Sequence, residues 1–351
     1  AQINASMRAY LDSGLFYVLN DSYVYVERTV APGRVRRGLV GKIDLEQYDY
    51  SADSRSLVRP TEGTVESRLP PRMRVREQAP LESPHIMVLI DDALHTVIEP
   101  LQKQKNAMEP LYDFDLMADG GHIAGWRVAG DLCAQVDAAM LFLLSGQQCR
   151  RGVCRECAPP MLIAVGDGNH SLATAKACWE KIKPALSERE RRVHPARYAL
   201  AELVNLHDGA LTFEPIHRVL FDVDPNSVLD ALQKQLGACA DGQGQVFTYA
   251  AGGRTGRLVV ANPPSPLAAG TLQGFIDGYL AAHGGTVDYI HGDDVVMELS
   301  KKPGAIGFLL PAMEKSQLFP AVREGGALPR KTFSMGHAYE KRFYLECRKI
   351  Q

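Results

Sequence analysis

The sequence predicts an α+β fold in which a larger, strand-rich domain with a mixed sheet is followed by a smaller α/β unit. One observation is a short apolar run, Pro160–Val165, that leads through a glycine-rich turn directly into an amphipathic helix. A second observation is the alternation of helix and strand patterns that begins near residue 225. The predicted domains are therefore residues 1–224 and 225–303, with residues 304–351 returning to the larger domain.

Length and composition exclude several functional classes. The chain has 351 residues, of which 46% are hydrophobic and 23% charged, as in an ordinary folded protein of about two domains. The formal charge of -2 argues against nucleic acid as the main partner. The longest uncharged apolar run, Ala138–Ser145, is far shorter than the ~20 residues that span a bilayer. The chain opens without Met or a signal core, so we expect a cytoplasmic protein that lacks some N-terminal sequence.

The first part of the chain is predicted to begin with a helix and to continue as strands. Met7, Tyr10 and Leu11 share one helical face, which predicts a helix over Asn4–Ser13 that ends before Gly14. The next two runs read as a hairpin, followed by a third strand. These strands are predicted over Leu15–Leu19, Tyr23–Val30 and Arg37–Leu45.

The middle of the chain combines a long loop with buried elements. Residues 56–80 mix proline, glycine and charge, which predicts an ordered loop and then a short helix entered at Pro70 and Pro71. His85–Ile90 is a continuous apolar run, typical of a strand covered on both faces. An amphipathic helix is predicted to end at Gly146.

The second half of the chain supplies further strands and the alternating α/β unit. Strands are predicted over Ala199–Asn205, Leu211–Phe221, Val287–Ile290 and Ala305–Leu310. Helices are predicted over Ser227–Leu236, Leu272–Ala282 and Asp294–Ser300, with a hairpin at Gly252 and Gly253.

The most specific local signal is the sequence GDGNHS at a predicted strand end and helix start. It comprises Gly166, Asp167, Gly168, Asn169, His170 and Ser171. Backbone N–H groups at a helix N-terminus favour an anion, and glycines let a phosphate approach closely. Asp167 is a candidate for holding Mg²⁺ or taking a proton, and His170 for donating to phosphate. A tight turn capped by Asn169 or Asp167 explains the same letters.

A second candidate group lies on the loop RPTEGT. Arg59, Thr61, Glu62, Thr64 and Arg68 place a carboxylate, two hydroxyls and two guanidinium groups together, which are suited to orient phosphate and supply a general base. The alternative is an exposed loop that is held by its own hydrogen bonds.

Three later residues are candidates for clamping an anion. His217 and Arg218 lie within a strand pattern, where a structural salt bridge is the alternative. Lys331 lies in LPRKT near the C-terminus, where a solvated cation is the alternative.

Cys149, Cys154 and Cys157 have zinc-like spacing, but no fourth ligand lies nearby in the sequence. An odd total of seven cysteines at irregular spacings fits reduced thiols better than disulfides. We therefore do not expect a zinc site.

Six segments together resemble one family. They are VRRGLVGKIDLEQYDY, RPTEGT, PHIMVLIDD, AVGDGNHSLATAKACWE, LVNLHDGALTFEPIHRVLF and LPRKTFS. This ordered set resembles the bacterial and archaeal domain-of-unknown-function family numbered 1015 over most of the chain. Members usually have more chain before the point where this sequence begins.

The GDGNHS motif is similar to the phosphate-binding box of the ParB and sulfiredoxin-like fold, which in most members of the family is closer to ADGHHR. Asp167, Gly168 and His170 match the box, whereas Asn169 and Ser171 replace a His and an Arg. Loss of that Arg removes a bidentate phosphate partner, which Lys176, Arg59 or Lys331 would have to replace. The box implies ATP or ADP with Mg²⁺ as cofactor, and free serine kinases of this fold imply an upstream carboxylate as base, for which Glu62 is the candidate.

The leading hypothesis is a phosphotransferase that uses a nucleotide and Mg²⁺ to phosphorylate a small hydroxylated metabolite. Its catalytic candidates are Glu62, Asp167 and His170, with Asp167 as the metal ligand. Its binding candidates are Gly166, Gly168, Asn169, Ser171, Arg59, Thr61, Thr64, Arg68, His217, Arg218 and Lys331. The alternatives are a ParB-type nucleotide-responsive regulator associated with DNA and a hydrolase of a phosphorylated small molecule.

Overall fold

A computed structural model describes residues 2–83, 86–149, 159–336, 340 and 343–351. The helices are α1 (Gln2–Asp12), α2 (Leu69–Arg76), α3 (Glu99–Lys103), α4 (Asp131–Cys149), α5 (Asn169–Ile182), α6 (Glu188–Val193), α7 (Pro225–Leu236), α8 (Ala268–His283), α9 (Asp293–Leu299) and α10 (Lys315–Gly325). None of the helices in these ranges has both the length and the apolar character needed to cross a membrane.

The strands alternate with these helices along the chain. They are β1 (Tyr23–Ala31), β2 (Arg34–Asp44), β3 (Val58–Pro60), β4 (Leu81–Glu82), β5 (Met87–Ile90), β6 (Glu109–Asp115), β7 (His122–Val128), β8 (Ile163–Asp167), β9 (Tyr198–Asn205), β10 (Phe213–Pro215), β11 (His217–Phe221), β12 (Gln245–Ala251), β13 (Arg254–Val260), β14 (Thr286–Ile290), β15 (Ile306–Leu309), β16 (Phe333–Met335) and β17 (Arg348–Lys349).

The chain packs as two units. The first unit consists of Ala1–Thr212, Val322–Ala327 and Gly336–Gln351, and the second of Phe213–Ala321 and Leu328–Met335. The second unit thus includes β11 and β15, which pair directly within one sheet. The division at residues 224 and 303 stays a prediction about separate domains.

An eight-stranded sheet organises the first unit, in the order β3-β8-β5-β9-β2-β1-β7-β6. The pairs β3/β8 and β5/β9 are parallel, and the others are antiparallel. Because helices pack against a sheet that mixes both directions, the predicted α+β fold with a mixed sheet is confirmed. The second unit has a five-stranded antiparallel sheet in the order β13-β12-β15-β11-β14.

The two faces of the first sheet carry different side chains because successive strand residues alternate. Tyr25 and Leu39 belong to a buried cluster that includes Leu172 and Trp179 of α5. Val24, Val26 and Val40 belong to a separate cluster with Leu116, Ile123 and Leu200. One face is therefore covered by α5, which fixes the position of that helix relative to β8.

Two predicted strands were wrong. Leu15–Leu19 is not a strand; Leu15, Tyr17 and Val18 are 65%, 69% and 67% exposed. An apolar run becomes a strand only where a neighbouring strand accepts its backbone hydrogen bonds. Leu211–Phe221 is not one strand but two, β10 and β11, which pair with different partners on either side of Ile216.

Candidate functional site

The GDGNHS sequence forms a strand-to-helix junction in the first unit. β8 ends at Asp167 and α5 begins at Asn169, with Gly168 between them as the N-terminal cap. The φ of Gly168 is 86°, a left-handed value that residues with a Cβ rarely adopt. The first N–H groups of an α-helix have no acceptor within the helix, and the helix dipole makes this end partly positive. This is the geometry that favours an anion at the start of α5.

Two side chains attach the loop that follows β3 to this junction through hydrogen bonds. The Asn169 amide oxygen accepts from the Thr61 N–H at 3.1 Å, and the Asn169 amide nitrogen donates to Thr61 Oγ1 at 3.3 Å. The same nitrogen donates to the Val165 carbonyl at 3.3 Å, as does Thr61 Oγ1 at 2.6 Å. Thr61 is 0% exposed and Asn169 is 6% exposed. Both side chains, predicted as ligand contacts, are engaged with each other and the backbone, which fixes the loop against the turn.

His170 makes a second connection to the same loop. The Val65 N–H donates to His170 Nε2 at 3.2 Å. A ring nitrogen that accepts a hydrogen bond carries no proton, so the neutral imidazole has its proton on Nδ1. The predicted hydrogen bond from His170 to a phosphate therefore has Nδ1 as its donor.

The 61–65 loop carries the predicted base and hydroxyls between these two connections. Glu62 is partly buried, and Arg68 is exposed at the end of a following single turn of 3-10 helix. The Thr64 Oγ1 atom is buried and has no hydrogen-bond partner among the described residues. A buried hydroxyl without a hydrogen-bond partner is uncommon, which makes Thr64 a candidate for bonding a group that enters the site.

Asp167, Gly166 and Ser171 complete the predicted box. Asp167 Oδ1 accepts from the Gly168 N–H at 2.8 Å, and the Ser171 N–H donates to the Gly168 carbonyl at 2.9 Å. All three are partly buried. Within the described ranges, no group of three or more His, Cys, Asp or Glu side chains could hold a metal ion.

Arg59 has contacts of a structural kind. Its Nε donates to the Ser56 carbonyl at 2.9 Å, and its Nη2 donates to the carbonyls of Pro159 and Pro160 at 2.9 and 3.2 Å. The residue is 2% exposed. These bonds hold β3 to the segment that enters β8, and a direct contact of Arg59 with an anion stays a prediction.

His217, Arg218 and Lys331 belong to the second unit. The Arg218 guanidinium is 0% exposed and donates to Gln273 Oε1 at 3.2 Å and to the Arg330 carbonyl at 3.3 Å. Lys331 is exposed, with a left-handed φ of 60°. A role for these three residues in binding an anion stays a prediction.

The His217 imidazole is held in its neutral form. Its Nδ1 accepts from the Leu310 N–H at 3.1 Å, and its Nε2 lies 2.8 Å from Asp293 Oδ1. Burial lowers the pKa of His217, although Asp293 opposes this change. A neutral His217 cannot clamp an anion by charge near neutral pH.

We expect protonation of His217 to lower the free energy of unfolding at acidic pH. Because the folded pKa lies below the unfolded value of about 6.5, the contribution is present above that pH and is lost as the pH falls. Unfolding by urea at pH 8 and pH 5.5 should therefore show a larger loss for the wild type than for His217→Asn. Hydrogen bonds to Asp115 and Asp113 raise the pKa of His122, so this residue stabilises the fold in acid. His122→Asn should therefore lose more stability than the wild type between pH 8 and pH 5.5. Equal losses in wild type and His217→Asn would contradict the account.

Most of the cysteine-rich linker lies outside the residues that the structure describes. Cys154 and Cys157 lie outside the described residues, and Cys149 is the last residue of α4. The absence of zinc stays a prediction.

Sequence reasoning missed three buried charged residues in the first unit. Arg28, Arg36 and Glu202 are 2%, 3% and 3% exposed, and they lie on the sheet face opposite α5. A signal was present, since Arg28 continues the inward-facing positions of Val24 and Val26 in β1.

Several solved structures are similar to this chain. A conserved hypothetical protein from Pyrococcus furiosus has a TM-score of 0.41 and 11% identity, covering 85% of this chain and 91% of that one. SbnI with C-terminal truncation from Staphylococcus aureus has a TM-score of 0.44 and 10% identity, covering 85% and 83%. A free serine kinase in complex with AMP has a TM-score of 0.44 and 11% identity, covering 85% and 87%.

No curated protein matches the chain. A family model described as protein of unknown function (DUF1015) matches residues 1–287, which is most of the sequence. The match spans α1 to α8 and ends within β14, so it includes the junction between β8 and α5. The chain therefore belongs to the DUF1015 family, as its six ordered segments predict.

Proposed function

We propose that the first unit binds the phosphate groups of ATP or ADP at the start of α5 and transfers a phosphoryl group to a small hydroxylated metabolite. The observation that carries the proposal is the double attachment of the 61–65 loop to the first two residues of α5. Asn169 holds Thr61, and His170 holds Val65. The loop that carries a carboxylate is thereby held beside a helix end that favours anions.

Phosphoryl transfer asks a protein mainly for positioning and for neutralisation of charge. The left-handed Gly168 leaves the turn without a side chain, so that a phosphate can approach the backbone N–H groups. The unpartnered Thr64 hydroxyl, within the described residues, offers a further hydrogen bond to a phosphate or an acceptor hydroxyl.

Glu62 is the proposed general base. It lies between Thr61 and Val65, the two residues that are fixed to α5, so its backbone is held at both sides. A carboxylate placed beside the acceptor hydroxyl takes its proton as the new bond to phosphorus forms.

Asp167 is the proposed protein ligand of Mg²⁺. Magnesium in nucleotide sites takes one or two carboxylates together with phosphate oxygens and water, so a single carboxylate at the end of β8 fits this chemistry. The ion would neutralise charge on the phosphate oxygens.

Replacing Gly168 should separate nucleotide binding from general stability. ATP with Mg²⁺ at ~100 times its dissociation constant should raise the thermal midpoint of the wild type by about 5 °C. Gly168→Ala should lose more than half of this rise, because a side chain at this left-handed position strains the backbone that is proposed to face the phosphate.

Gly237→Ala is the matched control. Gly237 also has a left-handed φ, 62°, and a Cβ there would meet nothing within 4 Å. Both variants should lose about 1 kcal/mol of stability from backbone strain, but only Gly168→Ala should lose the response to ATP. An equal response in both variants would contradict the proposed site.

Product analysis tests the reaction itself. Incubation of the full chain with ATP, Mg²⁺ and a panel of hydroxylated amino acids and sugars should yield ADP and one phosphorylated acceptor, detected by mass spectrometry. Free phosphate without any acceptor would favour the hydrolase alternative. The ParB-type alternative stays a prediction, and retention on a DNA column at low salt would revive it.

A further inference from the structure

The sheet face opposite α5 contains a small cavity in the first unit, which we call the arginine cavity. It is lined by Arg28, Arg36, Glu202, Ile123, Phe343 and Tyr344, among others, and has room for about one water molecule. Val26 and Val40 are apolar parts of its wall, and Glu346, which accepts a hydrogen bond from the Tyr112 hydroxyl, also lines it. Charged groups in such a place need partners, because burial removes their water.

Two guanidinium groups meet at this cavity. Arg28 of β1 lies directly opposite Arg36 of β2 in the antiparallel register. Like charges opposite each other on two strands repel, and little water is present to screen them. Arg36 is compensated, since its Nη2 donates to Glu202 at 3.2 Å and its Nη1 donates to the Glu340 carbonyl at 3.4 Å.

Arg28 lacks comparable compensation. Its Nε and Nη2 atoms are buried without a hydrogen-bond partner within the part of the chain that the structure describes. These two atoms form one edge of the guanidinium group, the edge that binds two oxygens of a carboxylate or phosphate at once. Burial, and then the neighbouring Arg36, lower the pKa of Arg28, while Glu202, Tyr344 and Glu340 oppose this change.

We propose that Arg28 binds an oxyanion, a carboxylate or phosphate group of a small molecule, in the arginine cavity through its Nε and Nη2 atoms. One oxygen of such a group has the size that the cavity accommodates. The rest of the group requires movement of Phe343 and Tyr344, which line the same cavity. Phe343 has a left-handed φ of 60°, a strained value for an aromatic residue, so movement of its backbone would release strain.

The arginine cavity is distinct from the junction at α5, because the two lie on opposite faces of the sheet. The oxyanion site does not depend on the proposed nucleotide site.

Anion titrations of the full chain test this proposal. The thermal midpoint is measured with increasing sodium phosphate and, separately, sodium acetate, with ionic strength kept constant by sodium chloride. The wild type should show a saturating rise of about 5 °C in at least one series at ~100 times the dissociation constant. The series that produces the rise identifies phosphate or carboxylate as the preferred group.

Three variants assign the response. Arg28→Met should remove the rise that persists in Gly168→Ala, whereas Arg55→Met, which replaces an exposed arginine of the same unit, should leave it unchanged. Gly168→Ala should keep the response to the anion at the arginine cavity, and Arg28→Met should keep the response to ATP. An error in one proposal can therefore be told from an error in the other.

The proposal also predicts how Arg28→Met compares with the wild type in sodium chloride without phosphate or acetate. Arg28→Met should melt no lower than the wild type, because it replaces a buried charge that lacks a partner. A midpoint several degrees lower would mean that Arg28 is paired within the protein, for instance with the buried Glu340 Oε1 atom, and would overturn the proposal. So would an equal anion response in wild type and Arg28→Met, or no response in either series.

Discussion

Glu62→Gln is expected to slow phosphoryl transfer by about 10²–10⁴-fold, which corresponds to roughly 3–5 kcal/mol of transition-state stabilisation. Glutamine keeps the shape of the side chain but cannot take the proton of the acceptor hydroxyl. The two attachments of the 61–65 loop, at Thr61 and Val65, remain in the variant. Calorimetric titration with ATP should therefore give an unchanged dissociation constant.

Glu66→Gln is the control for this prediction. Glu66 is exposed and begins the single turn of 3-10 helix that follows the same loop, so its replacement should leave the rate unchanged. Equal rates for Glu62→Gln and Glu66→Gln would show that Glu62 is not the base. A Glu62→Gln variant that fails to bind ATP would instead assign Glu62 to binding.

Asn169→Ala is expected to lower the free energy of unfolding by about 2–4 kcal/mol. The substitution removes three hydrogen bonds and leaves the buried Thr61 N–H without its acceptor. Urea unfolding should show the loss as a lower midpoint with an unchanged slope. Asn226→Ala replaces an exposed residue near the start of α7 and should change stability by less than about 0.5 kcal/mol.

A double-mutant cycle sharpens this test. Thr61→Val removes the hydroxyl that both accepts from Asn169 and donates to Val165. Since the two side chains share hydrogen bonds, the double variant should lose less stability than the sum of the single variants. Additive losses would mean that Asn169 and Thr61 do not act together in holding the loop.

Local patterns in the sequence predicted much of the fold. The continuous apolar run that ends at Ile90 became β5, and Pro70 and Pro71 became the first turn of α2. A strand was predicted after Gly121, where β7 lies, but its partner β6 was not predicted, because β6 mixes charged and aromatic residues and lies exposed at the sheet edge. The failure at Leu15–Leu19 has a related cause, since a strand depends on neighbours that are far away in the sequence.

The candidate site likewise combines local features that the sequence predicted with long-range contacts that it did not. The strand, glycine turn and helix of GDGNHS are contiguous, so the sequence alone predicted the junction at Gly168. The attachment of Thr61 to Asn169 joins residues that are 108 positions apart and could not be read from either segment. The meeting of Arg28 with Glu202 near one cavity also depends on the order of strands in the sheet.

Backbone amide chemical shifts during titration with ATP and Mg²⁺ test the central claim most directly. The account predicts that the amide signals of Gly168, Asn169 and His170, at the start of α5, move most and saturate together. The same dissociation constant should emerge from the thermal shift of the wild type. Saturating changes confined to other parts of the chain, with these three signals unmoved, would contradict phosphate binding at this junction.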